Sequence, residues 1–131
     1  PVRGADTSRL RSQLERLFGP AAVLDNAAWW RPMGALAFLR DVGKLHRVNA
    51  MLARDSVKQR LTGDGLSFTE FAYQLLQAYD FHHLHVAHGC NVQLGGSDQW
   101  GNICAGLDHI QHQHRLQQQQ QPGEATGARA W

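Results

Sequence analysis

The chain is short of lysine, short of cysteine and without a long apolar run, and each shortage narrows what it can be. Its two cysteines, Cys90 and Cys104, are too few for a disulfide-stapled fold and fit a reducing compartment, where they serve as small apolar residues. No continuous apolar stretch approaches the length of a membrane span and no signal peptide is visible, so the expectation is a soluble, intracellular protein with no membrane partner. A formal net charge of +2 is too mild to imply a nucleic-acid partner by itself, and the distribution of charge matters more. At 131 residues there is room for one domain with a single core, small for an enzyme that joins two substrates. The start at Pro1, without an initiator methionine, reads as a piece of something longer. Eight histidines show no recognised zinc spacing. His82, His83, His85 and His88 share one helical pattern, His109, His112 and His114 follow Asp108, and no metal site is expected.

What is present begins with Asp6-Thr7-Ser8, which can cap a helix whose Leu10, Leu14 and Leu17 share a stripe, with Gly19-Pro20 stopping it. A short apolar strand over 21–24 follows, ending at Asp25-Asn26. Helix followed by strand suits an α/β domain with parallel strands. From Trp29 to Arg60 the pattern is helical, broken at Pro32-Met33-Gly34 and around Val48-Asn49. Arg40, Lys44 and Arg47 recur at helical spacing, as do Arg54 and Lys58, which predicts two basic faces. These are either solvated surface or a modest stripe for phosphates.

The strongest helical signal comes next. Ser67 and Glu70 make a capping box after the Gly63-Asp64-Gly65 turn, and helical spacing holds from Phe68 to about His85. Phe68, Phe71, Leu75 and Tyr79 form an apolar face expected in the core. Tyr73, Gln77 and Asp80 lie opposite, within roughly a 60° arc. Three polar side chains on one stripe commonly mean only that water is on that side. Leu84 extends this stripe, however, and Leu76 borders it, as in a lined pocket. Such a pocket suits an amino acid: the Tyr73 hydroxyl and the Gln77 carbonyl can accept from an α-ammonium, and the Asp80 carboxylate from a phenol O–H.

The stretch Asn91 to Asn102 carries the most chemistry. Val92 and Leu94 flank Gln93 in a short strand pattern, Gly95-Gly96 break it, and Ser97 and Asp98 are residues that open helices. The glycines let a ligand lie against the backbone, and the free N–H groups of a helix start favour an anion. Asp98 is oddly placed for phosphate and better suited to sugar hydroxyls. Taken by composition alone, Gly-Gly-Ser-Asp also occurs in ordinary loops.

The full string Gly95-Gly96-Ser97-Asp98-Gln99-Trp100-Gly101-Asn102 resembles the adenylate-binding segment of bacterial and organellar tyrosyl-tRNA synthetases, class I enzymes. The stretches Phe38 to Lys44, Ala53 to Val57, Ser67 to Phe71 and Tyr73 to Phe81 resemble the same family in the same order. The resemblance runs from about Asn26 to Asp108. It implies an α/β fold, an incomplete Rossmann-type class I catalytic domain, mostly helical with one or two parallel strands. Residues 1–110 would form the partial catalytic domain, with 27–66 a helical insertion at a homodimer interface and 67–110 the tyrosine and adenylate site. Residues 111–131, glutamine-rich and then Gly/Ala-rich, depart from the family pattern and are expected to be a low-complexity, disordered tail.

By the same resemblance, Tyr73 and Gln77 hold the tyrosine amino group, Asp80 its hydroxyl, and Gln93 makes a further tyrosine contact. Gly95 and Gly96 let the adenylate approach, Asp98 holds the ribose and Gln99 reaches the activated carboxyl and phosphate. Arg54, Asp55 and Trp100 lie near the tRNA. Asp25 stands where the family has the first of two asparagines, and Lys44-Leu45-His46-Arg47 departs from the usual Lys-His-Phe order. The implied reaction is ATP-dependent activation of L-tyrosine, with magnesium, then transfer to tRNA(Tyr), in a bacterial cytoplasm, a mitochondrial matrix or a plastid. Neither step needs a covalent enzyme intermediate, and no catalytic residue is assigned.

Two family motifs are absent from the chain. There is no His-Ile-Gly-His-like string and no Lys-Met-Ser-Lys-Ser-like loop, and the only lysines are Lys44 and Lys58. As a separate chain it is therefore expected to activate tyrosine poorly or not at all. Two other readings stand beside this one: a catalytically inactive tyrosine-binding or dimerisation module, and a tryptophanyl enzyme, against which Asp80 and the intact glycine string argue.

Overall fold

Gly19 closes the first helix by doing what other residues do poorly. It takes φ +85°, and its N–H bonds the Glu15 carbonyl at 2.9 Å, ending α1 (Gly4–Phe18). The computed structural model describes residues 4–20, 23–63 and 65–120, in two units, Pro1–Gly34 and Ala35–Trp131. In the first unit, α1 begins before Asp6, so that carboxylate sits in the first turn and favours the helix dipole instead of capping it. Leu10 and Leu17 on the expected apolar stripe are exposed. Arg11 reaches across to the Val23 carbonyl at 3.5 Å and to the Asp25 carboxylate at 4.0 Å. Of the strand expected over 21–24, residues 21 and 22 lie outside the described residues, and Val23 and Leu24 are irregular. Asp25 Oδ1 accepts from the Ala27 N–H at 3.0 Å, starting the single turn of α2 (Ala27–Trp30).

The second unit opens with α3 (Ala35–Ala37), which widens into a π-helical turn, Phe38–Val42, and tightens into a 3₁₀ turn, Gly43–Leu45. Arg47 is extended and breaks the path before α4 (Val48–Leu52). Arg54, also extended, precedes α5 (Asp55–Leu61). This corrects the two expected basic faces. Arg40, Lys44 and Arg47 fall on three different backbone geometries, so helical spacing no longer aligns them. Arg40 instead clasps its neighbour Asp41 through Nε at 2.8 Å and Nη2 at 3.0 Å.

The longest helices are α6 (Phe68–His88) and α7 (Trp100–Gln120). The predicted capping box is present: Ser67 Oγ accepts from the Glu70 N–H at 3.2 Å, and Glu70 Oε2 accepts from the Ser67 N–H at 3.0 Å. The Glu70 carboxylate also pairs with Arg60, which ties α5 to the head of α6. The other end closes on a left-handed glycine cap. Gly89 at φ +64° bonds the His85 carbonyl at 3.2 Å, and the Cys90 N–H bonds that of Leu84 at 3.1 Å. Phe68, expected in the core, is 75% exposed; the inward face of α6 is Ala72, Gln74, Leu75 and Ala78. The glutamine-rich run is helical as far as Gln120, correcting the disordered tail expected from 111. Glutamine is a good helix former, and α7 simply continues through it; residues 121–131 lie outside the described residues.

Small residues let α6 and α7 approach closely. Ala78 and Ala105 are buried, and any side chain at Gly106 would strike the Phe81 ring. The pairs Gln77 with Gln99, Phe81 with Gly106, His82 with His109 and His85 with His114 ascend together along both helices. The two helices therefore run in the same direction, and the connection 89–96 must travel back along them. Beyond the left-handed Gly89, residues 90–96 at up to about 3.3 Å each can span roughly 23 Å. The rise of α6 from Gln77 to His88 is roughly 17 Å. This helix, extended return, parallel helix arrangement is one layer of an α/β fold. Among the described residues the return segment has no strand partner, so no ladder forms, and Val92 and Leu94 are 73% and 95% exposed.

Candidate functional site

Residues from the two stretches singled out in the sequence meet where α6 faces the start of α7. Gln77 Nε2 donates to Gln99 Oε1 at 3.1 Å. The same oxygen accepts from Asn102 Nδ2 at 3.2 Å, while Gln99 Nε2 donates to Asp98 Oδ2 at 2.8 Å. The Gln99 amide is thus used on both sides, which sets its orientation. Asp98 and Gln99 occupy a 3₁₀ turn, Ser97–Gln99, that leads directly into α7. A Cβ on Gly95 would come within 2.9 Å of Gln99 Cβ. The bare glycine backbone is therefore what lets the turn close beside the glutamine.

Tyr73 is exposed at one end of this region, and Asp80 lies half-buried one turn beyond Gln77. Gln93 projects from the extended return. Its Oε1 is buried and has no hydrogen-bond partner among the described residues, an arrangement that costs about 1–3 kcal/mol until a donor arrives. Asn102 was not singled out from the sequence, although it ends the motif string. Its position three residues after Gln99 on a helical path brings its amide back to the same oxygen.

A cleft of about 360 Å³ adjoins the network and is lined by Val57, Arg60, Thr69, Tyr73, Gln74 and Asn102, among others. Gln74 is buried; its Nε2 donates to the Phe71 carbonyl at 2.9 Å, and its Oε1 is unpartnered. Of the three residues expected near tRNA, Asp55 and Trp100 are exposed. Arg54 is half-buried instead, its Cδ 3.8 Å from where a side chain on Gly101 would begin. Burial lowers its pKa, partly opposed by Asp108 and Cys104 on α7, and its Nη1 has no partner among the described residues. No three His, Cys, Asp or Glu side chains among the described residues come together as a metal site. No helix there is long and apolar enough to cross a membrane.

Parallel helices around a return segment, with a glycine pair and an acidic turn at the head of the second helix, are arranged as one helical layer of an α/β fold. The model of the tRNA synthetases class I (W and Y) matches residues 3–123, and the chain belongs to that family. Within it, the similar proteins are of the tyrosine branch. The chain is 54% identical over 106 residues to a tyrosine-tRNA ligase of Nocardia farcinica, covering 76% of this chain and 25% of that protein. It is 52% identical over 108 residues to that of Mycobacterium leprae, again covering 76% and 25%. Among solved structures, a C-terminally truncated mitochondrial tyrosyl-tRNA synthetase of Coccidioides posadasii superposes with a TM-score of 0.66 at 36% identity, covering 76% of this chain and 28% of that one. The counterpart from Aspergillus nidulans gives 0.62 at 48% identity, covering 66% and 24%. The chain thus spans about a quarter of the length of the curated relatives it matches, and the expected class I synthetase fold is what it shares with them.

Proposed function

We propose that the chain carries the tyrosine and ribose side of a tyrosine-tRNA ligase catalytic site. The observation that carries this reading is the Gln77 to Gln99 hydrogen bond, because it joins the amino-acid helix to the adenylate turn. On this reading Tyr73 and Gln77 hold the tyrosine ammonium, and the unpaired Gln93 carbonyl gains a donor from bound tyrosine. Asp80 accepts from the phenol. A phenylalanine has no O–H to offer it, and tyrosine against phenylalanine in this enzyme class is itself the standard illustration of discrimination by a hydroxyl. Asp98 holds the ribose, Gly95 and Gly96 admit the adenylate, and Gln99 faces the activated carboxyl.

The reaction is attack of the tyrosine carboxylate on the α-phosphorus of ATP, releasing pyrophosphate, then transfer of the tyrosyl group to the terminal ribose hydroxyl of tRNA(Tyr). The protein's part is alignment and charge stabilisation. Magnesium carried by the triphosphate would offset its negative charge. Arg54, Asp55 and Trp100 face the tRNA side. Exposed Leu36, Leu39 and Val48 on the helical insertion support a homodimer through that segment. Bacterial relatives and fungal mitochondrial structures support a bacterial cytoplasm or an organelle as the setting.

The second reading is an inactive module that keeps the fold and dimerises. Titration calorimetry of the chain with tyrosine and with phenylalanine separates the two. Tyrosine-selective binding that Asp80→Ala abolishes supports the ligase site. A stable dimer that binds neither amino acid supports the module.

A further inference from the structure

The most buried large side chain described is a histidine outside the site above. His109, halfway along α7, is 0% exposed, and its Nδ1 lies 2.9 Å from Nε2 of His46. His46 belongs to the bend between the 3₁₀ turn and α4, and the two rings stack with centroids 5.2 Å apart. From α6, Tyr79 meets the His109 ring edge-on at 6.1 Å and His82 lies at 5.1 Å. We propose that His46 and His109 form a proton-sensitive latch that fastens the helical insertion to α7 at neutral pH and releases it in acid.

The chemistry of the pair sets the direction. An imidazole to imidazole hydrogen bond needs one ring nitrogen to donate and the other to accept. A proton added to His109 leaves Nδ1 able to donate to His46 but puts the charge on a ring that is 0% exposed, with an Nε2–H that has no partner among the described residues, and protons on both rings would set donor against donor. A proton on His46 leaves the bond possible but puts a charge into a half-buried site.

The groups that face the pair are mostly of the wrong sign for that charge. They are Arg54 from the turn before α5, His82 and Tyr79 from α6, and His112 from α7, with His83, His85 and His114 behind His82. Asp108, also on α7, is the opposing carboxylate. Burial first, then His46, His82 and His112, push the His109 pKa down to about 3. Burial likewise lowers His46, with Arg54 adding to the effect. Both folded-state pKa values lie below that of a free histidine, so the latch is fully set above about pH 6.5 and weakens as pH falls below it.

Hydrogen exchange on the full chain, corrected for intrinsic rates, tests this between pH 7.5 and pH 4.5. Residues 43–54 are expected to lose protection more than tenfold across that range while 72–81 in α6 hold theirs. The variant H46F/H109L is expected to change less than twofold at 43–54. Equal loss in wild type and variant, or no loss in wild type, overturns the latch. Should the variant fail to fold, ring ¹⁵N shifts of wild-type His109 decide. A ring that stays neutral below pH 5 supports the proposal, and one that titrates near pH 6.5 ends it.

Discussion

Gln77 and Gln99 stand 22 residues apart in the chain and share a hydrogen bond of 3.1 Å, the link between α6 and the turn that leads into α7. Because Gln99 also donates to Asp98, its amide has to be an amide. In Gln99→Glu the carboxylate would face that of Asp98 with no donor between them. Affinity for a non-hydrolysable tyrosyl-adenylate analogue is expected to fall by roughly 10-fold to 100-fold, as for loss of a hydrogen bond to a charged group. Calorimetry measures it, and an unchanged circular dichroism spectrum separates the effect from unfolding.

Gln93 carries a different expectation, since its carbonyl oxygen is buried without a partner among the described residues. Gln93→Leu removes an unmet acceptor while keeping similar bulk, so the melting temperature of the unliganded chain is expected to hold or rise, by up to about 1–3 kcal/mol in stability. Tyrosine binding should weaken in the same variant. A variant that is markedly less stable would show that Oε1 is satisfied in the folded chain.

The crossing of α6 and α7 depends on the absence of a side chain at Gly106. Gly106→Ala places a methyl against the Phe81 ring, and overpacking of this kind costs about 1–3 kcal/mol. Thermal melts are expected to show the loss in the single variant. Partial recovery is expected in Gly106→Ala with Phe81→Leu, because the two positions are in direct contact.

Ser67→Ala removes one half of the capping box and is expected to cost about 1 kcal/mol, with faster amide exchange confined to the first turn of α6. The other half depends on pH. The Ser67 backbone N–H, then the Ser67 hydroxyl, hold the Glu70 carboxyl below its ordinary pKa, with Arg60 adding to the effect. The box therefore contributes above the ordinary glutamate range and is lost as pH falls through the lowered value. The Ser67→Ala penalty should shrink below about pH 4, the range where a free glutamate protonates.

Local rules made the head of α6 legible, since Ser67 and Glu70 act within one turn. The glycine string was legible for a similar reason: Gly95 to Asn102 is a contiguous word whose members meet within a few residues. Features that depend on distant chain were not. Val92 and Leu94 have the alternation of a strand, but a strand forms only when another lies alongside it. Phe68 fits the helical stripe and yet is exposed, at the end of α6 that precedes the pairing of Gln77 with Gln99. His46 and His109 are 63 positions apart, and no spacing rule pairs residues that far apart. The π-helical turn at Phe38–Val42 upset the basic faces for the converse reason, a local change of pitch that a regular period does not foresee.

The extended return between α6 and α7 has one more consequence. Val92 and Leu94 are exposed on a segment that has no strand partner among the described residues, and such a segment can accept a second strand alongside it. In concentrated solution the strand nearest to hand is that of another copy. Self-association of the chain, read as light scattering that rises with concentration, is the expected consequence, and Leu94→Lys should reduce it.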